Sequence, residues 1–255
     1  MSTPTHPLDG ERPVTALLSE HSVTSLDVVH HADALSLLRG LPGGFADVVI
    51  TDPPYAAGRL VSSRRSPADR FNEIPGNVTV QRAWMLEAYR ALRTDGAIYV
   101  FATWRNSETW QGALTAAGFN VKNCIVWDKV VHGLGDLEGG YAFQHEFIIF
   151  AVKGRHLLRG SRQKDVIRIP RVPAEQLRHP YQKPTALLER LIMASSDVGD
   201  VVIDPFAGSG ATGKAAQNTA RRYVLCDIKR EYVCDARAWL AEAYTLPLFA
   251  AQEVA

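Results

Sequence analysis

Short runs of β-branched and aromatic residues recur along the chain, and the stretches between them carry apolar residues at helical spacing. The runs predict strands at 25–30, 47–51, 97–103, 121–128, 145–152, 201–204 and 223–227. The intervening stretches predict helices at 34–38, 80–92, 107–117, 184–196, 211–219 and 230–243. Strands that alternate with helices are typical of an α/β fold in which helices cover both faces of a mostly parallel sheet.

The runs at 121–128 and 145–152 are the exception, because a glycine-rich connection with no helical pattern joins them. Parallel neighbours need a long crossover, usually a helix, so this pair predicts an antiparallel hairpin. We therefore expect a seven-stranded, mostly parallel sheet with one antiparallel hairpin strand.

The length of 255 residues is enough for one well-filled core, and we expect a single domain over 23–245. The segment 1–22 lacks a charged start followed by an apolar run, so it predicts a disordered lead-in and not a signal peptide. The last residues, 246–255, are expected to form a tail. Within the domain, 56–79 predicts a mobile basic loop and 155–178 a short insertion.

Composition excludes few classes of function. With 46% hydrophobic and 22% charged residues and a net charge of +1, the chain is typical of a soluble enzyme and gives no global sign of nucleic acid. No apolar run approaches the length that a membrane span needs. The three cysteines form no Cys-x-x-Cys pair, which favours a cytoplasmic protein and disfavours a disulfide framework or a metal site. Locally, 153–178 is strongly basic, with eight Lys and Arg residues against two acids.

A glycine-rich turn, Asp204-Pro-Phe-Ala-Gly-Ser-Gly210, follows the predicted strand at 201–204 directly. Its glycines allow a ligand to approach the backbone, and the following helix presents free N–H groups. Asp227 ends the next predicted strand, where a carboxylate can accept hydrogen bonds from a ribose diol. The pattern predicts a nucleoside site.

Two other interpretations of this turn remain open, and both are less favoured than a nucleoside site. Gly208, Gly210 and Gly213 satisfy G-x-G-x-x-G, the fingerprint of a dinucleotide-binding oxidoreductase. Too few residues follow Gly213 for the further strand–helix units of that fold, so the rest of the sheet must precede the turn and the sheet is circularly permuted. An ordinary tight turn is disfavoured because Asp204 and Asp227 occur together.

A second turn, Asp52-Pro53-Pro54-Tyr55, follows the predicted strand at 47–51. The prolines fix a rigid, extended turn. The Asp52 carboxylate and the Pro53 carbonyl can together accept both hydrogens of an amino group, and Tyr55 offers a face on which an aromatic ring can stack. A plain β-turn with a surface tyrosine is the alternative, which the position at a strand end disfavours.

Four segments in order resemble the β class of S-adenosylmethionine-dependent amino-group DNA methyltransferases, over roughly residues 25 to 240. They are Thr51–Tyr55, then Phe-Ala-Val-Lys-Gly ending at Gly154, then His179-Pro-Tyr-Gln-Lys-Pro184, then the glycine-rich turn. In that class the catalytic turn precedes the target-recognition region and the cofactor turn comes last. The chain departs from the class at Tyr181, where a small Thr is expected, and in its short recognition region.

The resemblance implies a role for each matching residue. It implies a Rossmann-like methyltransferase domain in which the Asp52–Tyr55 turn is catalytic, Asp33 meets the cofactor's adenine and Lys183 closes its methionine end. The implied cofactor contacts are Asp33, Ala34, Lys183, Asp204, Pro205, Phe206, Gly208, Ser209, Gly210, Asp227 and Ile228. The implied DNA contacts are Arg59, Arg64, Arg65, Arg155, Arg159, Arg162, Lys164 and Arg168.

The resemblance also implies a reaction. The target base leaves the duplex, stacks on Tyr55 and attacks the sulfonium methyl directly, with neither a covalent intermediate nor a metal. Asp at the first position of the turn favours adenine N6, and cytosine N4 remains the alternative. An RNA or protein methyltransferase is less favoured, because such enzymes usually carry Asn-Pro-Pro-Tyr after the glycine turn and the order here is reversed. An inactive relative is also less favoured, because it would more readily have lost Asp52 or Gly208, and both are present. We expect double-stranded DNA as partner; a homodimer and a separately encoded restriction nuclease stay open.

Overall fold

A computed structural model describes residues 25–54, 78–133 and 138–242. It contains a single eight-stranded sheet with the order β1-β8-β7-β2-β3-β5-β4-β6. The strands are β1 (Val28–His31), β2 (Ala46–Thr51), β3 (Leu92–Ala102), β4 (Asn120–Asp128), β5 (His145–Val152), β6 (Val166–Arg168), β7 (Val201–Asp204) and β8 (Arg222–Asp227). The predicted α/β class with a mostly parallel sheet is confirmed.

Strand β5 is the one that runs against the others. It pairs antiparallel with β3 on one side and with β4 on the other, whereas all other neighbouring pairs are parallel. The predicted hairpin of β4 and β5 is therefore present. Because β5 is reversed, its first residues lie at the edge of the sheet where the other strands end, and its last residues lie at the opposite edge.

Strand β6 is an eighth strand that the sequence did not predict. It lies inside the segment predicted as an insertion, 155–178, and pairs with the end of β4 through Trp127 and Ile167. Only Ile167 of its three residues is buried. A strand this short, flanked by charged residues, has no period of alternation to detect.

Helices cover both faces of the sheet. They are α1 (Ala34–Gly40), α2 (Val78–Ala91), α3 (Ser107–Ala116), α4 (Thr185–Ser195), α5 (Ala211–Asn218) and α6 (Arg230–Ala241). Successive strand residues point to opposite faces, so Val49 joins the core under α1–α3 while Val48 and Ile50 join the core under α4–α6. The sheet is thus buried on both sides, which explains its nearly continuous apolar strands.

The topology places one crevice at the centre of the sheet. Strands β2 and β7 are parallel neighbours, with Val49 in register with Ile203. The crossover from β7 runs through α5 on one face, and the crossover from β2 runs through α2 on the other. Adjacent strands whose crossovers leave in opposite directions open a crevice at their carboxyl ends, where α/β proteins bind ligands.

Some predicted boundaries shift. Strand β1 begins at Val28 because Asp27 adopts a positive φ of 63° and binds Arg222 Nε through its carboxylate at 2.6 Å. Strand β3 begins at Leu92, directly after α2. The predicted lead-in, the tail and nearly all of the basic loop lie outside the described residues. Within the described part, no helix combines the length and apolarity that a membrane crossing requires.

Two helical glycines give a stability test of this packing. A methyl group at Gly112 in α3 would meet nothing within 4 Å, whereas one at Gly213 in α5 would lie 2.7 Å from Leu225 Cδ1 in the core. Gly112→Ala should raise the free energy of unfolding by about 0.5–1 kcal/mol through helix propensity and unfolded-state entropy. Gly213→Ala should lower it by about 1 kcal/mol because overpacking outweighs that gain. Urea unfolding of both variants checks this, and a stabilised Gly213→Ala protein would contradict it.

Candidate active site at the carboxyl ends of β2 and β7

Asp204 joins the two turns at the ends of the central strands. Thr51 Oγ1 donates to Asp204 Oδ1 at 2.9 Å, and Thr212 Oγ1 donates to Oδ2 at 2.6 Å. The backbone N–H of Phe206 donates to Oδ1 at 3.0 Å. Asp204 is almost fully buried. Its carboxylate therefore braces the turn after β2 against the turn after β7 and against the start of α5.

Burial raises the pKa of Asp204 to about 6. The hydrogen bonds from Thr212, from the Phe206 backbone and from Thr51 favour the charged form, while the nearby Asp52 carboxylate disfavours it. The brace is thus a carboxyl group that takes up a proton near neutrality, unlike an ordinary surface aspartate.

The glycine-rich turn is shaped by positive φ angles at two positions. Gly208 has φ 49° and Gly210 has φ 82°, a region that disfavours side chains. A Cβ at Gly210 would also lie 2.9 Å from Ala236 Cβ of α6. The Gly208 N–H donates to Asp227 Oδ2 at 3.0 Å, and the Lys229 N–H donates to Asp227 Oδ1 at 2.9 Å. Asp227 is therefore oriented by backbone donors at the mouth of the turn.

His179 lies beside Gly208, with a ring atom 3.5 Å from where a Cβ on that glycine would be. The Tyr181 N–H donates to His179 Nδ1 at 3.2 Å, which leaves the ring proton on Nε2. Nε2 is buried and has no hydrogen-bond partner among the described residues. Burial lowers the pKa of His179, so its ring is neutral at pH 7. The backbone of the glycine turn, the buried N–H donor of His179 and the Asp227 carboxylate together suit the hydrogen-bonding groups of the adenosyl and amino-acid parts of S-adenosylmethionine.

Asp33 is the N-cap of α1. Its carboxylate accepts from Ser36 N–H at 2.9 Å and from Ser36 Oγ at 2.6 Å. It follows β1, whose last residue His31 is in register with Asp227 on β8. Asp33 and Asp227, the predicted adenine and ribose contacts, thus lie at the ends of adjacent strands.

Asp52 belongs to a row of alternating charges. Lys183 Nζ lies 2.5 Å from Asp52 Oδ2 and 3.2 Å from Glu146 Oε2. Lys129 Nζ lies 2.6 Å from Glu146 Oε1. Burial works against the charged form of Lys183, but the two carboxylates outweigh it and raise the Lys183 pKa. Burial likewise opposes the charge of Glu146, and the two lysines outweigh it and lower its pKa.

The residues proposed from the sequence for catalysis and cofactor binding gather at this edge of the sheet. Asp52, Pro53 and Pro54 follow β2, and the glycine-rich turn follows β7. Phe206 packs edge-on against Trp84 at 5.4 Å between ring centroids, while Ile228 stays exposed. The Lys183 ammonium contacts Asp52, and its expected place at the methionine end of the cofactor stays a prediction. Tyr55 lies outside the described residues.

The proposed DNA contacts are separated. Arg168 ends β6 at the edge that carries Asp52, 3.6 Å from Asp128. Arg159 lies at the opposite edge, where it pairs with Asp197 at 3.0 Å beyond the end of α4. Arg155 is also at that far edge, after β5, with its N–H on Asp95. Arg162 and Lys164 are exposed between the two edges, and Arg59, Arg64 and Arg65 lie outside the described residues.

Sequence reasoning missed Glu146, Lys129 and the buried N–H of His179. A lone charged residue among the apolar residues of 145–152 was the available signal for Glu146. His179 was recognised only as part of a motif. In the described part of the chain, no three His, Cys, Asp or Glu side chains gather as metal ligands would.

The raised pKa of Asp204 predicts a pH dependence of stability. The folded chain binds this proton more tightly than the unfolded chain, whose Asp pKa is 3.8, so the stabilisation is full below that value and is lost as pH rises through about 6. At about 1.4 kcal/mol per unit, wild type should lose roughly 1–1.5 kcal/mol between pH 5 and pH 8 through this group. Asp204→Asn should lack this component in urea unfolding. Equal pH slopes in the two proteins would contradict the prediction.

Comparison with known proteins gives the same family throughout. A family model described as DNA methylase matches residues 46–238. The chain is 30% identical over 237 residues to the type II methyltransferase M2.DpnII of Streptococcus pneumoniae, which covers 82% of this chain and 88% of that protein. It is 29% identical over 248 residues to the type II methyltransferase M2.LlaDCHI of Lactococcus lactis subsp. cremoris, covering 87% and 91%.

Solved structures share the fold. The complex of M1.HpyAVI with SAM superposes with a TM-score of 0.63 at 24% identity, covering 83% of this chain and 98% of that one. The cytosine-N4-specific PvuII DNA methyltransferase superposes with a TM-score of 0.69 at 17% identity, covering 85% and 86%. Together with the order of the two turns, the family match shows that the chain belongs to the N6_N4_Mtase family of DNA methylases and is an S-adenosylmethionine-dependent DNA methyltransferase.

Proposed function

We propose that this enzyme methylates the exocyclic N6 of adenine in a base turned out of double-stranded DNA, by direct displacement. The observation that carries the proposal is the Asp52 carboxylate at the end of β2, ion-paired with Lys183 at 2.5 Å, beside the glycine-rich turn at the end of β7. An aromatic amine is a weak nucleophile, and a charged acceptor on its hydrogens strengthens it as it attacks.

Asp52 and the Pro53 carbonyl act as the two acceptors for the target amine. The ion pair with Lys183 fixes the orientation of the Asp52 carboxylate. The hydrogen bond between Thr51 and Asp204 fixes the position of the turn after β2 relative to the glycine-rich turn. Holding both reactants in line accounts for much of such a rate enhancement. The proton that the amine loses after methylation passes to Asp52 or to water. Tyr55 is proposed as the stacking surface for the base.

We assign the cofactor to the space above the glycine-rich turn. When bound, S-adenosylmethionine supplies an electrophilic methyl group. Asp227 accepts hydrogen bonds from the ribose hydroxyls, and Asp33 is the proposed contact of the adenine. The backbone at Gly208 and Gly210 allows the cofactor to approach closely. His179 Nε2–H, buried without a protein acceptor in the described part, donates to an oxygen of the methionine portion.

Adenine is preferred over cytosine because Asp and not Ser begins the catalytic turn. The fold itself does not discriminate, since the cytosine-N4-specific PvuII enzyme has it as well. Both bases present the same amino group, so the preference rests on the resemblance at Asp52. Cytosine N4 is the outcome that would replace it.

For DNA contact we propose Arg162, Lys164 and Arg168, because this run leads to the edge that carries Asp52. The positions of Arg155 and Arg159 at the far edge argue against contact with the target base. Arg59, Arg64 and Arg65 remain proposals from the sequence. Phosphate contacts of this kind fix register on the duplex and weaken with salt.

The remaining context is also proposed. We infer one methyltransferase domain over 23–245. We also infer that it acts in the cytoplasm, because a reducing compartment keeps cysteines such as these three in the free thiol form. Two relatives bear the name type II methyltransferase, and this chain is proposed to work likewise beside a separately encoded restriction nuclease. A homodimer is proposed on the resemblance alone.

The direct test incubates the enzyme with labelled S-adenosylmethionine and unmethylated genomic DNA, followed by digestion to nucleosides and their separation. Label should appear in N6-methyladenosine. Label in N4-methylcytosine would overturn the base assignment while keeping the reaction type. No label in any nucleoside, with cofactor binding intact, would overturn the proposed activity.

Asp52→Asn tests the role of the carboxylate with almost no change of shape. Loss of the charged acceptor should lower the methylation rate by roughly a hundredfold or more, as for other removed groups that stabilise a transition state. The dissociation constant for S-adenosylmethionine, measured by calorimetry, should change less than about threefold, since the cofactor turn is untouched. Asp235→Asn makes the same chemical change on the exposed face of α6 and should leave the rate unchanged. Near-normal activity of Asp52→Asn would refute the assignment.

A further inference from the structure

Glu146 occupies an unusual position for a charged residue. It is the second residue of β5, in register with Trp127 of β4, and the strand is buried core from Ile148 onward. Because β5 runs antiparallel, this start of the strand lies at the same edge of the sheet as Asp52. The reversed strand thus brings a carboxylate to the active edge from the side opposite the catalytic turn.

In the row of Asp52, Lys183, Glu146 and Lys129, each of the two lysines lies over an aromatic ring. Lys183 Nζ is 5.0 Å from the centre of the Phe101 ring, and Lys129 Nζ is 5.4 Å from the centre of the Trp127 ring. The two rings meet edge-on, 6.4 Å apart at 87°. Cation–π attraction and exclusion of water beneath the row hold the ammonium groups in fixed places.

Stability is a poor explanation for this row. Desolvation of buried ions offsets most of their mutual attraction, and well-packed apolar residues often serve the fold as well or better. The row ends on Asp52, the group that is to accept the target amine. Glu146 competes with Asp52 for the Lys183 ammonium, and so it weakens the attraction between Lys183 and Asp52.

We propose that Glu146 is a positioning residue for methyl transfer, acting through Lys183 on the orientation and acceptor strength of Asp52, with Lys129 balancing it from the outer end. The inference rests on the proposed function and deepens it. Lys183 without Glu146 would bind Asp52 alone, and the Asp52 carboxylate would be more strongly neutralised by its partner. A more strongly neutralised carboxylate is a weaker acceptor for the amine.

The row is not a proton path. The pKa of Lys183 is raised, so it holds its proton and has no room for another, and the pKa of Glu146 is lowered. Glu146 and Lys129 therefore influence the reaction through position and charge alone. No proton moves along the row.

The sign of each charge gives an independent readout. Removing the negative charge of Glu146 leaves one negative charge fewer beside Lys183 and the active edge, so the acidic limb of the rate profile should move to lower pH. Removing the positive charge of Lys129 leaves the Glu146 charge less balanced, so the limb should move to higher pH. Among the described residues, Asp204 on β7 and His179 before α4 are further titratable groups that act electrostatically on Asp52 or Lys183, and both residues are kept in the two variants. General loosening of the site cannot produce two shifts of opposite direction.

The experiment measures single-turnover methyl transfer from a preformed complex of enzyme, S-adenosylmethionine and DNA, across pH. Glu146→Gln should lower the plateau rate about tenfold to a hundredfold, with an acidic limb about one unit lower. Lys129→Met should shift the limb the other way by a smaller amount, because its charge is farther from Asp52. The dissociation constant for S-adenosylmethionine should stay within about twofold for both variants.

Glu87→Gln is the matched control. Glu87 on α2 is ion-paired with Arg90 at 2.6 Å and has a side-chain exposure of 24%, close to the 20% of Glu146, but Arg90 bonds to Leu38 and Leu41 near the end of α1. This variant should keep wild-type rates and pH profile. A Glu146→Gln protein that behaves as this control would overturn the inference, and so would a rate loss with no movement of either limb.

Failure of the inference is distinguishable from failure of the proposed function. If wild type puts no label into adenine, the proposed function fails before any variant is compared. If wild type methylates adenine and Glu146→Gln does so at the same rate, only the role of Glu146 fails. Should Glu146→Gln not fold, the direction of the limb in Lys129→Met decides, and an unmoved limb there refutes the inference.

Discussion

The buried contact between Thr51 and Asp204 is the constraint on which the site depends. It joins the ends of two adjacent parallel strands whose crossovers leave in opposite directions, and so it fixes the distance between the proposed catalytic turn and the proposed cofactor turn. A methyl group passes over a very short distance between its donor and acceptor atoms. Small displacements of either turn would separate the reactants, and a carboxylate shared with Thr212 and the Phe206 backbone leaves little room for them.

Asp204 and Asp52 are close enough to interact electrostatically, but their environments are opposite. Asp204 is enclosed, accepts hydrogen bonds from neutral groups and has a pKa raised to about 6. Asp52 is half-buried and faces the ammonium of Lys183. The first environment suits a structural brace and the second a charged acceptor. The division of roles comes from burial and partners, since the residue type is the same.

Much of this arrangement could be read from the sequence because its signals are local. The proline pair at 53–54, the glycines at 208 and 210 and the helix-free connection before β5 each leave a mark within a few residues. Strand β6 left none, since three residues have no period. The roles of Glu146 and of Arg159 depend on which edge of the sheet they reach, and that follows from the reversal of β5 and the direction of α4. The ion pair between Lys183 and Asp52 could not be read from the motif, which implied a cofactor contact for Lys183 that stays a prediction.

The permuted order of the sheet has a consequence for how the enzyme is made. Thr51 and Asp204 are 153 residues apart in the chain. Strand β2 can therefore pair with its neighbour β7 only after β7 has been synthesised. Contacts of such high sequence separation form late, and the emerging chain must keep the apolar strand β2 from mispairing meanwhile. A chain released before residue 201 would carry the catalytic turn without the strand that positions it. Methylation therefore cannot begin before residues 201–204 of β7 have been synthesised and have paired with β2.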